Sequence, residues 1–340
     1  MRYKSFTTRL QSARQAASGW EERLIGTSEE GRPIVAFVQE GSGPRILAWA
    51  LMHGNEPTGY EALLQLLGSN VQGHWCVIPI LNPDGAEAFT RTNARGVDVN
   101  RDARALVSAE AKALEVCRSH FQPEIALNLH DQRPRFYPEG GDKPASFSLL
   151  APKGHPEHTT VSQYQAQSIL HHWARALTAT FPGQVARFDD SFYPTAFGEY
   201  FQETGCATIT FETGISPADW GRKTVALAEA ECLRALDAQA SQWLIGKEWS
   251  AYTQLPLNAS PANEWVIAHP GGHCHLRVHE MVQNGQYAVK WEVDAYHAEQ
   301  PTWLRTETST SLGHLELGAV LDEAYLASLG ISAPETGLKN

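Results

Sequence analysis

The chain has 340 residues, with 27 Lys+Arg against 38 Asp+Glu and a formal net charge of −11. Hydrophobic residues make up 42% and charged residues 19%, a balance that suits a buried core and excludes intrinsic disorder. The acidic total argues against a sequence-independent nucleic-acid binder, which needs a basic footprint. No apolar run approaches the ~20 residues of a membrane span, and residues 1–9 carry no apolar signal-like stretch, so the expectation is a cytoplasmic protein with neither nucleic acid nor membrane as partner. The five cysteines, Cys76, Cys117, Cys206, Cys232 and Cys274, are scattered and never form a C-x-x-C pair. They predict free buried thiols rather than a disulfide framework or a thiolate zinc module.

In chain order, short apolar runs alternate with helical patterns. Residues 33–38 and 46–52 read as strands, 57–67 as a helix and 75–81 as a strand. A helix follows over 108–121, with Ser108 as its N-cap and Pro123 just beyond its end. Then come a strand at 125–129, a helix over 161–181, a strand at 207–211 and a helix over 218–245. Several of these strands are apolar throughout, the mark of a sheet covered on both faces, so the pattern predicts a three-layer α/β domain over 1–248. Residues 249–263, with two prolines and several small polar residues, suit a linker. Beyond them, runs at 275–281 and 287–293 flank Gln283-Asn284-Gly285-Gln286, a hairpin signal because Asn-Gly tolerates positive φ. A small β-rich C-terminal domain within 249–340 is expected.

The chemistry concentrates at strand ends, where open α/β sheets place ligand-binding groups. His53-Gly54-Asn55-Glu56 follows the strand at 46–52, and a His and a Glu three residues apart can converge on one cation. Ala126-Leu127-Asn128-Leu129-His130 delivers a second histidine, and Thr208-Ile209-Thr210-Phe211-Glu212 a second carboxylate. Two histidines and two carboxylates along one sheet edge match a catalytic zinc arrangement, with three ligands and a spare carboxylate as base. Taken singly, His130 also reads as a satisfied core histidine and Glu212 as a carboxylate at a helix N-terminus. Between them, Asn82-Pro83-Asp84-Gly85 reads as a turn. The polar run from Arg91 through Gly96-Val97-Asp98-Val99-Asn100-Arg101 offers planar guanidinium forks for a carboxylate or an oxyanion, or else a solvated loop with internal ion pairs.

In this order, His53-x-x-Glu56, Asn82-Pro83-Asp84-Gly85, Arg91, Gly96-Val97-Asp98-Val99-Asn100-Arg101, His130 and Glu212 resemble the zinc metallocarboxypeptidases over roughly residues 45–215. The close spacing of Arg91 and Asn100-Arg101 looks more like the compact bacterial members than the pancreatic enzymes. The resemblance implies a mixed-sheet carboxypeptidase-like fold, one Zn²⁺ held by His53, Glu56 and His130, and hydrolysis of a C-terminal amide or peptide bond. It assigns Glu212 as general base, Arg91 to the oxyanion, Asn100 and Arg101 to the substrate α-carboxylate, and Asp98 to orienting His53. The tyrosine that closes over substrate in the pancreatic enzymes falls near Tyr193 or Tyr200, of which Tyr193 is the choice. The implied partner is a small peptide, or an acylated amino acid, with a free carboxylate.

Two other readings remain open at this point. Aspartoacylase and succinylglutamate desuccinylase share the His-Gly-Asn-Glu sequence and an Asp-x-Asn-Arg motif and carry a β-rich C-terminal domain, so an N-acyl amino-acid deacylase is one alternative. A non-catalytic carboxylate-binding module is the other. His273-Cys274-His275 and His279 read as surface strand histidines, and His171-His172 as partly exposed helix residues. No G-x-S-x-G elbow and no nucleotide-binding glycine motif occurs.

Overall fold

The computed structural model describes residues 3–16, 19–132, 136–214, 216, 219, 222–259, 265–269, 272–283, 286–297, 306–308 and 320–321. In chain order the first part comprises α1 (Tyr3–Ala16), β1 (Glu21–Thr27), β2 (Pro33–Gln39), β3 (Ser42–Trp49), α2 (Thr58–Leu67), β4 (Gly73–Ile78) and α3 (Pro83–Ala88). A single 3₁₀ turn, Val99–Arg101, precedes α4 (Ala109–Phe121), β5 (Ile125–Asp131), β6 (Phe147–Leu150), α5 (Val161–Thr180) and β7 (Val185–Arg187). The unit closes with α6 (Phe197–Glu203), β8 (Ala207–Thr213), α7 (Lys223–Leu244) and the short α8 (Ser250–Thr253). The expected order of strands and helices from 33 to 245 is present, and the architecture is α/β with a mixed sheet.

Eight strands form that sheet in the order β1-β2-β4-β3-β5-β8-β6-β7. The centre, β4-β3-β5-β8, is parallel throughout; β1, β2 and β6 pair antiparallel with their inner neighbours, and β7 runs parallel to β6. Every residue of β5 is buried, which its two apolar faces require. On one face α2, α5 and α7 close a core containing Leu127, Leu129, Phe211, Trp173 and Leu233. On the other, α4 and α6 pack Leu114, Phe197 and Phe201 against Leu47, Trp49 and Ala126. The fully buried Trp173 meets Phe211 of β8 edge-on, with ring centroids 5.5 Å apart.

Four readings differ from expectation. Asn82-Pro83-Asp84-Gly85 is the start of α3 and not a free turn: Asn82 Oδ1 accepts the Gly85 N–H at 2.9 Å and Pro83 occupies the first helical turn, where its missing N–H costs nothing. The strand at 46–52 stops at Trp49, and Ala50, Leu51 and Met52 continue as buried loop with Leu51 at positive φ. His171 is buried, with Nδ1 accepting the Ala251 N–H at 3.2 Å, because α8 folds back over α5; His172 is partly exposed and stacks on Trp243. Within 249–263, the segment up to Ala259 packs on the α/β unit: Tyr252 and Leu255 are buried, and Leu257 and Asn258 bridge to Arg187 and Pro138.

The C-terminal strands β9 (Trp265–His269), β10 (Gly272–Gln283), β11 (Gln286–His297), β12 (Thr306–Thr308) and β13 (Val320–Leu321) form a five-stranded sheet in the order β12-β9-β10-β11-β13. Strands β10 and β11 pair antiparallel with Gln283 opposite Gln286; Asn284-Gly285, the expected hairpin signal, lies outside the described residues. The side chains of His273, Cys274, His275 and His279 also lie outside the described residues. Cys76, Cys117, Cys206 and Cys232 are buried free thiols.

Candidate metal centre

Three strand ends build the site. The loop after β3 carries His53 and Glu56, β5 carries His130, and β8 carries Glu212 directly beside His130 in the parallel register. Two of the sequence motifs pack on each other here. A Cβ on Gly54 would lie 1.8 Å from the Gly85 carbonyl carbon, so this crossing admits only glycine at 54. Asn82 Nδ2 donates to the Met52 carbonyl at 3.2 Å, tying α3 to the loop that holds His53.

Among the described residues, His53, Glu56 and His130 are the only group whose ligand atoms lie within 4.8 Å of one another. All three are 2% exposed. Both imidazoles turn Nδ1 to the same carboxylate, His53 at 2.9 Å from Oε1 and His130 at 2.7 Å from Oε2 of Glu56. Burial opposes ionisation of Glu56, but the two histidines outweigh it and hold the carboxyl well below its ordinary range. Burial likewise opposes charge on His53, yet Glu56 and Asp98 overcome it and push its pKa up to about 9; for His130 burial prevails and the shift is downward. Two imidazole nitrogens and a carboxylate converging in a buried pocket are a donor set that fits Zn²⁺. A cation there would neutralise the carboxylate that now attracts protons onto the histidines.

The arginine-rich segment frames this triad. Asp98 Oδ1 lies 3.1 Å from His53 Nε2, the ring nitrogen facing away from Glu56, and also accepts the Asn100 N–H at 2.9 Å. Asp98 Oδ2 accepts Arg91 Nε at 2.9 Å, and Arg91 Nη1 stands 3.6 Å from Glu56 Oε1. Asn100 is engaged on both sides: Nδ2 lies 3.3 Å from His130 Nε2, and Oδ1 accepts the Phe197 N–H at 3.1 Å. Arg101 is exposed, its guanidinium 4.5 Å from the centre of the Tyr193 ring. Tyr193 is 52% exposed, whereas Tyr200 packs against Phe197 and Phe201. The candidate residues from β3, β5, β8 and the 91–101 segment thus meet in one place.

At Glu212 burial, then the neighbouring Glu56, pushes the pKa up to about 8, against the opposing field of His53. Three further residues belong to the site that the motif reading passed over. Glu199, in the first turn of α6, is 7% exposed, and burial pushes its pKa up to about 7, partly opposed by backbone N–H groups and by Arg101. Asp131 and Arg222 form a buried ion pair at 2.8 Å immediately behind His130. Asp131 adjoins a candidate ligand in the sequence, a signal that was available; nothing in the sequence around Arg222 announces it.

The fold and the triad define an α/β protein with a metal-ligand pocket at the carboxyl ends of parallel strands. Residues 13–177, just under half of the chain, match the sequence profile of the family described as "Zinc carboxypeptidase". The match spans His53, Glu56, Arg91, Asp98, Asn100, Arg101 and His130 and ends before Glu212. Carboxypeptidase 2 of Trichophyton rubrum is similar at 30% identity over 125 residues, covering 31% of this chain and 23% of its own length. A probable carboxypeptidase 2 of Arthroderma benhamiae shows the same identity and covers 24% of its own length, so the chain spans about a quarter of these relatives. A metallo-carboxypeptidase from Pseudomonas aeruginosa, solved with (2-guanidinoethylmercapto)succinic acid, shares the fold at a TM-score of 0.57 and 18% identity, covering 71% of this chain and 69% of that one. Carboxypeptidase A from Helicoverpa armigera does so at 0.56 and 16%, covering 73% and 75%.

Proposed function

We propose that the chain is a zinc-dependent carboxypeptidase that hydrolyses the last amide bond of a small peptide with a free C-terminal carboxylate. The observation that carries this reading is the convergence of His53 Nδ1 and His130 Nδ1 on the two oxygens of Glu56, with Glu212 beside His130 in register. His53, Glu56 and His130 would hold the metal, which would supply a Lewis acid and lower the pKa of a water. Glu212 takes the proton of the attacking water and returns it to the leaving amine. Arg91 reaches toward Glu56 from the open side and stabilises the oxyanion; Asp98 holds both Arg91 and the far nitrogen of His53.

Arg101 and Asn100 take the substrate α-carboxylate, with Tyr193 as the aromatic wall beside Arg101. The succinate-bearing ligand of the Pseudomonas aeruginosa relative supports a carboxylate-terminated substrate class. The test is digestion of a mixed peptide library by the zinc-loaded protein, read by mass spectrometry. Single residues should leave free C-termini and should not leave amidated ones. The five-stranded C-terminal sheet favours a second reading, an N-acyl amino-acid deacylase. Turnover of N-acetyl-aspartate or N-succinyl-glutamate with peptides untouched would select it.

A further inference from the structure

We propose that Asp131 and Arg222 are a positioning pair that fixes the spacing of the metal-ligand triad, touching neither metal nor substrate. The inference rests on the metal-centre reading and adds residues to it. Asp131 ends β5, one residue after His130, and its side chain is wholly buried. Its backbone N–H donates to Glu56 Oε2 at 3.2 Å, while its Oδ2 accepts the Thr58 N–H at 3.3 Å. One residue therefore grips both sides of Pro57: the ligand carboxylate before it and the first N–H of α2 after it. Arg222 completes the tie from the N-terminal end of α7, donating Nη1 to Asp131 Oδ2 at 2.8 Å and Nη2 to the Gln132 carbonyl at 3.3 Å.

General stability does not explain this pair. Buried ion pairs are commonly replaceable by apolar side chains without loss, since desolvation offsets the attraction. Arg222 also stands in the left-handed region, at φ 57° and ψ 18°, which a non-glycine residue adopts at a cost. Two unfavourable terms coincide on a residue that reaches under the triad, the pattern expected where surrounding structure fixes a functional geometry. The geometry being fixed is narrow, because Glu56 must serve two imidazoles through different oxygens. If Asp131 turns away, the α2 N-terminus and the Glu56 loop lose their common anchor to the strand that carries His130.

The test is zinc affinity, measured by competition with a chromophoric chelator, in Arg222→Ala, Arg222→Lys and Leu233→Ala. Leu233 is a fully buried residue of α7 that serves as a stability control. Arg222→Ala should weaken zinc binding by about 10–100-fold, the usual effect of removing a partner behind a ligand. Leu233→Ala should lower the melting temperature and leave zinc affinity unchanged. Wild-type affinity in Arg222→Ala, or an equal loss in Leu233→Ala, would overturn the proposal. Should Arg222→Ala fail to fold, Arg222→Lys decides: it keeps the charge, loses the two-pronged fork, and must lose affinity. A wild-type protein that binds zinc but cleaves no peptide leaves the pair standing and defeats the proposed function; one that binds no zinc defeats both.

Discussion

Glu199 makes the stability of this protein depend on pH in a way that a single substitution isolates. Its carboxyl is 7% exposed in the first turn of α6, and burial raises its pKa from the ordinary 4.5 to about 7. Below the lower value the group is protonated in both the folded and unfolded chains and contributes nothing. Between the two values the unfolded chain releases the proton and the folded chain keeps it, so stability falls as pH rises through that window. Above about pH 7 the penalty is complete, on the order of 3 kcal/mol at ~1.4 kcal/mol per pH unit. Glu199→Gln is nearly isosteric, keeps an acceptor for the backbone N–H groups, and cannot ionise. Urea unfolding of variant and wild type should therefore coincide near pH 4.5 and separate progressively to about pH 8, with the variant more stable. The same substitution should lower KM above pH 7, because ionised Glu199 competes with substrate for Arg101. A stability difference that is constant across this range, or that favours wild type at high pH, would refute the reasoning.

Glu212→Gln should retain the metal and lose about 10²–10⁴-fold in kcat, checked by elemental analysis and steady-state kinetics; unchanged kcat removes Glu212 as the base. Asp98→Asn should weaken zinc binding by about 10–100-fold in chelator competition, since it removes the charge that orients His53 and also releases Arg91. Trp173→Ala, which empties the space against Phe211 on the face of β8, should cost about 3–5 kcal/mol in urea unfolding with zinc stoichiometry retained. A loss below ~1 kcal/mol would mean that α5 does not brace the strand carrying Glu212.

The parts of the fold legible in sequence are those where burial is complete. Residues 125–129 and 207–211 are apolar because both faces of β5 and β8 are covered, and their chemical residues stand at the ends that those runs point to. The elements that the sequence pattern does not show lack this contrast. Strand β1 is an outer strand with the sequence Glu-Glu-Arg-Leu-Ile-Gly-Thr, largely exposed and without a clear alternation. Helix α1 is polar, with Phe6 as its fully buried contact beneath Tyr60. Helix α6 has seven residues, one of them glycine, and is held by Asn100 at its first N–H, a tertiary contact invisible in its own sequence.

The site divides in the same way. His53, Glu56, His130 and Glu212 could be listed from strand ends, and Asp98 only from the resemblance to the zinc metallocarboxypeptidases. Arg222 comes from a helix N-terminus 91 residues beyond Asp131, and only the folded chain brings it behind His130. Glu199 lies in α6, a helix that the sequence pattern does not show. Its importance comes from the burial that the packing of α6 imposes.

The central claim is tested most directly by one comparison: release of C-terminal residues from matched peptides with free and amidated ends, by zinc-loaded and chelator-stripped protein. The account predicts single-residue release from the free-ended peptide alone, lost on stripping and restored by zinc. Equal cleavage of both peptides, or undiminished release from protein shown by elemental analysis to be metal-free, would contradict it.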